Sequence, residues 1–309
     1  MELDSRLKDL LATPGIQLGA PPPEITPEMM RAASRDTLPK LPAVAIHEVS
    51  EITFAGPGGD LRMRLYRPAP DNQAPVIVFF HGGGFVLGDL DSHDSLCRSL
   101  ANLSDCAVAA VEYRLAPEAR FPEPLEDCYA AVVEIANHSQ GFGVDASRLA
   151  VCGDSAGATL ATAVTMLARD RGGPSIRHQA LFYPATDAAC DSASMHELAE
   201  GYWLSRELMQ WFWATYLRHG TDAANGLASP LCASNLAGLP PTSIVTAGFD
   251  PLRDEGEAYA ELLRAAGVEV NIKRYGEMIH GFLHLPCVAE VAERAMLEAA
   301  QNLRRALDR

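Results

Sequence analysis

Apolar runs alternate with amphipathic or alanine-rich segments from residue 75 onwards. The apolar runs predict strands at 75–80, 106–112, 148–152, 177–183, 242–248 and 268–275, and the other segments predict helices near 92–104, 124–138, 156–170, 254–266 and 287–307. Continuous apolar runs such as 75–80 are typical of strands that are buried on both faces. The alternation therefore predicts an α/β fold in which helices cover both faces of a mostly parallel sheet.

The segment before residue 75 has a different pattern. Residues 46–54 and 61–67 alternate polar and apolar positions, and a turn-forming sequence rich in glycine and proline separates them at 56–59. Alternation with a period of two on either side of such a turn predicts a β-hairpin. We expect the hairpin to lie at an edge of the sheet, which then has eight strands.

Two further segments lack the strand–helix rhythm. Residues 1–45 are helical in character but interrupted by prolines, and residues 186–225 contain all three tryptophans of the chain and no strand signal. We expect both segments to form a helical cap over the carboxyl ends of the strands, where open α/β sheets bind ligands. Residues 46–185 and 226–309 would then form the α/β domain, with residues 186–225 as an insertion in it.

Composition and charge restrict the environment and the partners. With 25 Lys and Arg against 40 Asp and Glu, the 309-residue chain has a formal net charge of −15. Such a charge repels nucleic acid and anionic lipid, so neither is an expected partner. No apolar stretch approaches the length of a membrane span, and the amphipathic N-terminal segment lacks the apolar core of a signal peptide. The seven cysteines form no C-x-x-C pair and are interpreted as reduced side chains, so we expect a cytoplasmic protein.

A glycine–serine motif lies between a predicted strand and a predicted helix. Residues 153–157 read Gly-Asp-Ser-Ala-Gly, and this G-x-S-x-G pattern directly follows the strand at 148–152. A sharp strand–turn–helix connection of this kind requires small flanking residues, and it lifts the serine hydroxyl out of the backbone. Ser155 is therefore the candidate nucleophile.

A run of glycines follows the first buried strand. In the HGGG sequence at 81–84 the glycines can turn backbone N–H groups towards an anion, and in acyl transfer that anion is the tetrahedral oxyanion. We expect the N–H groups of Gly83 and Gly84 to donate to it, together with that of Ala156, the residue after the candidate nucleophile. The His81 side chain is interpreted as orienting the glycine loop through a hydrogen bond.

A serine nucleophile requires a general base and a carboxylate that orients the base. In hydrolases with this strand–turn–helix motif, the order along the chain is serine, acid, histidine. His280 lies in the loop after the last predicted strand, whereas His284 is interpreted as a surface or helix-start residue. Asp250 leaves the sheet at the same edge as His280. It is preferred over Asp254 and Glu255, which precede a helical run and are more typical of helix capping.

Five motifs occur along the chain: HGGGF at 81–85, YRLAPE at 113–118, GDSAG at 153–157, DPLRDE at 250–255 and HGF at 280–282. Together they resemble the bacterial hormone-sensitive-lipase-like carboxylesterases, an α/β-hydrolase family, in the subgroup with Asp before the serine. The resemblance extends from about residue 45 to the C-terminus. It implies a triad of Ser155, Asp250 and His280, and the same three oxyanion donors. It also implies an α/β-hydrolase catalytic domain whose cap is built from the N-terminal helices and the 186–225 insertion.

The substrate pocket is expected beneath the cap. Bulky apolar side chains of the insertion are its candidate walls, and residues beside the glycine run are further candidates. The candidate substrate-binding residues are His81, Phe85, Tyr202, Trp203, Leu204, Met209 and Phe212. A pocket enclosed by bulky side chains favours acyl chains of short to medium length, because each methylene gains burial only until the wall is reached.

The motifs and the resemblance predict a serine carboxylesterase that acts on a small ester through an acyl-enzyme. We expect it to require neither a metal ion nor an organic cofactor. Two alternatives stay open: an amidase or peptidase on the same fold, and a non-catalytic small-molecule receptor. The presence of His280 argues against the receptor, because a receptor of this fold can bind its ligand with a broken triad. Homodimer formation is also left open.

Overall fold

The computed structural model describes residues 2–13, 19–22, 24–37, 41–42, 44–70 and 73–308. The strands are β1 (Glu48–Gly56), β2 (Gly59–Arg67), β3 (Ala74–Phe80), β4 (Ala107–Glu112), β5 (Val144–Asp154), β6 (His178–Phe182), β7 (Thr242–Phe249) and β8 (Val270–Ile279). The helices are α1 (Ser5–Leu11), α2 (Pro27–Thr37), α3 (Asp94–Ser104), α4 (Glu123–Asn137), α5 (Ala156–Arg171), α6 (Ala193–Glu197), α7 (Arg206–Tyr216), α8 (Arg253–Ala265) and α9 (Ala289–Leu307). None of the described helices is both long enough and apolar enough to cross a membrane.

The described strands form one eight-stranded sheet in the spatial order β1-β2-β4-β3-β5-β6-β7-β8. β1 and β2 form the predicted edge hairpin, since they pair antiparallel and Gly56 lies opposite Gly59 across the turn. β2 is also antiparallel to β4, whereas the strands from β4 through β8 in this order pair in parallel. The predicted mostly parallel, eight-stranded sheet is therefore confirmed.

Two layers of helices cover the faces of the sheet and bury its central strands. α3 packs with α9, and α4 packs with α5. Every residue of β3 is buried. Helix α5 is covered on all sides, with residues 156–168 buried throughout. This explains why its sequence is rich in small apolar residues and lacks a polar face.

Two strands are longer than their sequence patterns predict. β5 begins at Val144 rather than 148, and β8 ends at Ile279 rather than 275. Gly276 interrupts the apolar pattern of β8, but the strand continues because an irregularity in its pairing with β7 places Phe249 opposite Ile279. As a result His280 follows the end of the strand directly.

The two N-terminal helices attach to different parts of the α/β domain. α1 packs on the C-terminal part of the chain, where the Asp4 N–H donates to the Glu277 carbonyl oxygen at 3.1 Å. α2 is held by Arg31, whose guanidinium donates to the carbonyl oxygens of Val86 at 2.8 Å and Ala116 at 2.7 Å. α2 thus contacts the chain directly after the glycine run. The division into cap and catalytic domain stays a prediction.

The connection between β5 and α5 is pressed against the end of β3. A Cβ added to Gly157 would overlap the carbonyl oxygen of Phe80, and one added to Gly153 would overlap the carbonyl oxygen of Gly157. Only glycine allows backbones to approach each other this closely. The small flanking residues of the motif are therefore required by packing, independently of any chemistry at Ser155.

Replacing Gly157 with alanine should lower stability sharply, although alanine is normally favoured over glycine in a helix by about 1 kcal/mol. The added Cβ must push α5 away from β3, and we expect the free energy of unfolding, measured by urea denaturation, to fall by about 3 kcal/mol or more. Gly220→Ala is the control, because a Cβ at Gly220 meets nothing within 4 Å. Equal stability of the two variants would contradict this packing.

Candidate active site

Ser155 stands at the turn between β5 and α5 in a backbone conformation that residues other than glycine rarely adopt. Its φ is 53° and its ψ is −123°. Its N–H donates to the Phe182 carbonyl oxygen at 2.8 Å, which ties the turn to β6. A strained residue persists only where its surroundings hold it, and strained residues cluster at functional sites. Here the close packing of Gly157 on β3 and the hydrogen bond to β6 hold the turn.

Two side chains from neighbouring loops meet Ser155. Asp250 follows β7 and His280 follows β8. Asp250 Oδ2 lies 2.8 Å from His280 Nδ1, and His280 Nε2 lies 3.0 Å from Ser155 Oγ. Because an ionised carboxylate can only accept, Nδ1 carries the proton and donates it to Asp250. Nε2 of the neutral ring then accepts a hydrogen bond from the serine hydroxyl.

The carboxylate and the imidazole are each held in place by a second contact. Asp250 is completely buried, and its Oδ1 accepts from the Leu252 N–H at 2.8 Å. The Tyr183 ring packs edge-on against His280, with 4.8 Å between the ring centroids. These contacts fix the orientation of the imidazole, which is a geometric requirement for a general base.

The glycine run forms a loop beside Ser155. Gly83 and Gly84 have φ values of 117° and 61°, and both line the cavity described below. In the part of the chain that the structure describes, neither N–H donates to a backbone acceptor. Ala156 is the first residue of α5, where an N–H has no acceptor within the helix. These three N–H groups are therefore available to an anion.

Asp154 precedes Ser155 and holds the glycine loop, since its Oδ1 accepts from the Gly82 N–H at 2.8 Å. Two imidazoles also contact it: His93 Nε2 lies 3.2 Å from Oδ1, and His284 Nε2 lies 3.2 Å from Oδ2. Burial alone would raise the pKa of the Asp154 carboxyl, but His93 and His284 outweigh it and hold this pKa well below its usual range. A buried negative charge therefore lies beside Ser155.

The interpretation of His284 as a surface or helix-start residue is wrong. His284 ends the short 3₁₀ helix Phe282–His284, and its ring turns inwards to Asp154. Burial lowers the pKa of His284. No local pattern could have predicted this contact, because the two residues are distant in sequence and meet only when β5 and β8 share a sheet.

A cavity of about 700 Å³ opens beside Ser155 and His280. Its apolar wall comes from α7 and the segment before it, namely Trp203, Leu204, Leu208, Met209 and Phe212. Polar residues also line the cavity, among them Arg62, Arg64 and Asp91. The volume is typical of a site for a small molecule.

Four of the candidate substrate-binding residues line this cavity: Trp203, Leu204, Met209 and Phe212. Leu208 also lines it and was missed by the sequence analysis. Leu208 and Phe212 are separated by one helical turn of α7, so the spacing of apolar residues on this helix could have identified it.

His81 does not line the cavity. It is buried behind the glycine loop, where its ring stacks on Tyr113 with 4.3 Å between the centroids. Its Nδ1 donates to the Gly82 carbonyl oxygen at 2.8 Å. Burial lowers the pKa of His81 to about 4, so the ring is neutral at pH 7. The candidate substrate contact is therefore corrected, and the hydrogen bond to the glycine loop is present.

Phe85 and Tyr202 also lie outside the lining of the cavity. Phe85 is fully buried and stacks on Tyr216 of α7, with 3.9 Å between the ring centroids. Tyr202 stacks on Phe249, the last residue of β7, at 5.3 Å. As candidate substrate contacts both are corrected, because their rings are used in packing the 186–225 segment on the rest of the chain.

Asp254 and Glu255 lie in the first turn of α8 and do not contact His280. The Asp254 carboxylate accepts from the Ser194 N–H at 2.8 Å, and Glu255 Oε1 accepts from the Thr186 N–H at 2.7 Å. The expectation of simple helix capping is therefore corrected, because both side chains instead fix the segment that follows β6. Of these neighbouring acids, Asp250 is the one that reaches the histidine.

A parallel sheet that brings a serine, a histidine and a carboxylate together at one edge is the arrangement of the α/β hydrolases. The α/β-hydrolase-fold family model matches residues 77–284. The carboxylic ester hydrolase LipN of Mycobacterium tuberculosis is 45% identical over 262 residues, which are 82% of this chain and 70% of that protein. Ethyl acetate hydrolase of Pseudomonas putida is 37% identical over 254 residues, which are 81% of this chain and 80% of that one.

Solved structures of esterases superimpose on nearly the whole chain. A thermostable esterase from Pseudomonas putida matches with a TM-score of 0.93 and 37% identity, covering 99% of this chain and 98% of that one. A hyperthermophilic esterase from Pyrobaculum calidifontis matches with a TM-score of 0.89 and 38% identity, covering 99% of both chains. The chain belongs to the α/β-hydrolase family, among the hormone-sensitive-lipase-like carboxylesterases that its motifs resemble. It is a carboxylic-ester hydrolase.

Glu255 predicts a pH dependence of stability. Burial raises the pKa of this carboxyl well above the ordinary value of 4.5, so the folded chain binds the proton more tightly than the unfolded chain. The stabilisation by the protonated Glu255 carboxyl is fully present below about pH 4.5. As the pH rises towards the raised pKa, the free energy of unfolding falls by at most about 1.4 kcal/mol per pH unit. Glu255→Gln has no proton to lose and keeps an oxygen that can accept from Thr186.

We therefore expect the free energy of unfolding of Glu255→Gln to fall less steeply than that of the wild type between pH 5 and pH 8, as measured by urea denaturation at each pH. Glu261→Gln is the control, because Glu261 is exposed and paired with Arg264. Its profile should run parallel to that of the wild type. A parallel profile for Glu255→Gln as well would show that the buried carboxyl does not take up a proton on folding.

Proposed function

We propose that this chain hydrolyses small carboxylic esters, with Ser155 as the nucleophile, His280 as the general base and Asp250 as the carboxylate that orients the base. The observation that carries the proposal is the series of contacts from Ser155 Oγ to the His280 ring at 3.0 Å and from that ring to Asp250 at 2.8 Å. A hydroxyl within reach of a base that a third group orients is what nucleophilic catalysis by serine requires.

In the first half of the reaction, Ser155 Oγ attacks the ester carbonyl carbon while its proton passes to His280 Nε2. Asp250 keeps the other proton on Nδ1 and stabilises the imidazolium that forms. The carbonyl oxygen becomes the oxyanion of a tetrahedral intermediate. When this intermediate collapses, the ester C–O bond breaks, the alcohol leaves with the proton from Nε2, and the acyl group stays on Ser155.

The N–H groups of Gly83, Gly84 and Ala156 are the proposed donors to the oxyanion. The two glycine residues line the cavity, and the Ala156 N–H lies at the N-terminus of α5, where the helix dipole favours a negative charge. Donors that are fixed before the charge develops stabilise the transition state without reorganisation, and each typically contributes about 10²–10³-fold in rate.

In the second half of the reaction a water molecule replaces the alcohol. His280 Nε2 takes a proton from this water as it attacks the acyl carbon, and the same N–H groups stabilise the second oxyanion. Collapse breaks the bond between the acyl carbon and Ser155 Oγ, which recovers its proton from His280. The carboxylic acid leaves, and the enzyme returns to its starting state.

The size of the cavity supports a short to medium acyl chain. Its apolar wall is built from the large side chains of Trp203, Leu204, Met209 and Phe212, and the cavity has a volume of about 700 Å³. The ethyl acetate hydrolase of Pseudomonas putida is named for an ester whose acyl group and alcohol each have two carbons. We therefore place the preferred acyl chain of this enzyme at about four to eight carbons, since each buried methylene gains about 0.8 kcal/mol until it meets the wall.

Other sequence-based predictions belong to the same proposal. The partner is a small-molecule ester, and nucleic acid is not an expected partner because of the net charge of −15. The cytoplasmic location stays a prediction, and homodimer formation is still left open. So does the assignment of residues 1–45 and 186–225 to a cap over the site.

The acid can be tested by comparing two aspartates that lie close together in the sequence. Asp250→Asn should lower kcat for p-nitrophenyl butyrate by about 10⁴-fold, because an amide at this position favours the wrong tautomer of His280. Asp254→Asn is the matched control and should keep kcat within a few-fold of the wild type, since Asp254 contacts Ser194 and Arg253 rather than His280. The reverse order of effects would assign the triad acid to Asp254.

Acyl-chain preference should follow the apolar wall. With p-nitrophenyl esters from acetate to palmitate, kcat/KM should rise about fourfold per added methylene, reach a maximum between four and eight carbons, and fall steeply by palmitate. Phe212→Ala should move the maximum to longer chains because it removes part of the wall. Trp211→Ala is the control, because Trp211 is adjacent to Phe212 but does not line the cavity. Highest activity on palmitate in the wild type would contradict an enclosed pocket.

A further inference from the structure

A second cluster of polar side chains lies beside the proposed triad and takes no part in the proton transfer. His93 directly precedes α3, Asp154 ends β5, and His284 ends the 3₁₀ helix after β8. One nitrogen from each imidazole and one carboxylate oxygen all lie within 4.8 Å of one another. The three residues also line the substrate cavity.

We propose that His93, Asp154 and His284 bind a divalent transition-metal ion, with Zn²⁺ as the best fit, and that an ion bound there lowers the rate of ester hydrolysis. The binding site stands independently of the catalytic assignment. The effect on rate rests on the proposed function. Sequence patterns predicted no metal site, because the three ligands come from distant parts of the chain.

The ligand types suit zinc. Two imidazole nitrogens and one carboxylate oxygen, with a fourth position open to water, form a ligand set that zinc enzymes use. A tetrahedral ion with bonds of about 2.0–2.1 Å holds its ligand atoms about 3.3 Å apart. Asp154 Oδ1 lies 3.2 Å from His93 Nε2, and Oδ2 lies 3.2 Å from His284 Nε2, so each imidazole has this spacing from one of the two carboxylate oxygens. One atom from each residue can be chosen so that all three lie within 4.8 Å of one another, and an ion held by a single oxygen draws the farther imidazole closer.

Hydrogen bonds orient His93 as a metal ligand. The Ser92 hydroxyl donates to the Asp89 carbonyl oxygen at 2.9 Å, so its contact with His93 Nδ1 at 3.0 Å requires the ring N–H to donate to Ser92. The Gly82 N–H donates to His93 Nε2 at 3.3 Å, so this nitrogen presents a lone pair on the side that faces Asp154 Oδ1. The same N–H donates to Asp154 Oδ1 at 2.8 Å, and a metal ion that binds both atoms would take its place between them. A ligand imidazole whose other nitrogen donates to a neighbouring group is the usual arrangement around zinc.

The charge of Asp154 is also available to a cation. The carboxylate is buried, with 3% of its surface exposed. In the described part of the chain, the side chains that contact the carboxylate are the two imidazoles, and no Lys or Arg forms an ion pair with it. The His284 side chain is 26% exposed, so an ion can enter from the substrate cavity. A buried anion with two nitrogen ligands and an open side is a favourable site for a divalent cation.

An ion at this position opposes catalysis in two ways. Asp154 Oδ1 is the atom that accepts from the Gly82 N–H, so an ion that binds this oxygen weakens the contact that holds the glycine loop. The ion also lies close to His280, which follows β8 four residues before His284. A second positive charge raises the energy of the imidazolium that forms when His280 takes the serine proton.

Binding can be measured with Co²⁺, whose visible absorption distinguishes a four- or five-coordinate site from the aqueous ion. We would titrate the Ser155→Ala variant, which keeps the three ligands and cannot turn over substrate. We expect saturation at one Co²⁺ per chain, displacement by Zn²⁺, and a Kd at least tenfold weaker in His93→Gln and in His284→Gln. His196→Gln is the matched control, because His196 forms a surface pair with Asp191 at 2.8 Å, and its Kd should be unchanged.

Circular dichroism in EDTA shows which variants fold. Crystals of the Ser155→Ala variant soaked in Zn²⁺ provide a test that needs no ligand substitution, since an anomalous peak should lie about 2 Å from all three ligand atoms. Any of three results would overturn the site. These are no saturable Co²⁺ binding, an unchanged Kd in a folded variant of one of the ligand residues, and an anomalous peak that lies only at another position.

The effect on rate has its own measurement. Zn²⁺ should inhibit wild-type hydrolysis of p-nitrophenyl butyrate, EDTA should reverse the inhibition, and the concentration for half inhibition should rise at least tenfold in His284→Gln relative to its own metal-free rate. Full wild-type activity with the site saturated would overturn the inhibitory role. Metal binding by a chain that hydrolyses no ester would instead reject the proposed function and leave the site standing.

Discussion

The close approach of the β5–α5 turn to the end of β3 is the constraint on which the site depends. Because Gly157 has no side chain, its backbone can pack against the Phe80 carbonyl oxygen. This packing holds Ser155 at a positive φ and brings Asp154 next to the glycine loop that follows β3. Ser155, the proposed nucleophile, and the loop proposed to bind the oxyanion are thus positioned by one contact between two central strands. His280 and Asp250 then reach Ser155 because β7 and β8 end at the same edge of the sheet.

Helices α7 and α2, which lie in the two segments predicted to form a cap, both contact the same loop. Phe212 of α7 packs so closely on Gly84 that a Cβ there would overlap its ring, and Arg31 of α2 donates to the Val86 carbonyl oxygen. The wall of the substrate cavity and the proposed oxyanion loop are therefore in direct contact. Substitutions in the wall are expected to alter the geometry of the loop as well as the volume of the pocket, which couples substrate preference to rate.

The fold could be predicted from sequence because its strands are short apolar runs separated by helices, and Ser155, Asp250 and His280 could be selected because each follows a strand at the same edge. Contacts between distant segments that carry no recognisable motif could not be predicted. His284 reaches Asp154 only through the pairing of β8 in the sheet. Phe85 and Tyr202 are aromatic like the lining residues, and nothing in the sequence indicates that their rings stack on Tyr216 and Phe249 instead.

The most direct test of the account is labelling with a fluorophosphonate, which reacts with a serine only where a base activates the hydroxyl and N–H donors stabilise the negative oxygen. The account predicts one adduct per chain, located on Ser155 by peptide mapping, with loss of esterase activity in proportion to labelling. Activity lost through an adduct on another residue, or ester hydrolysis that continues at full rate with Ser155 labelled, would contradict it.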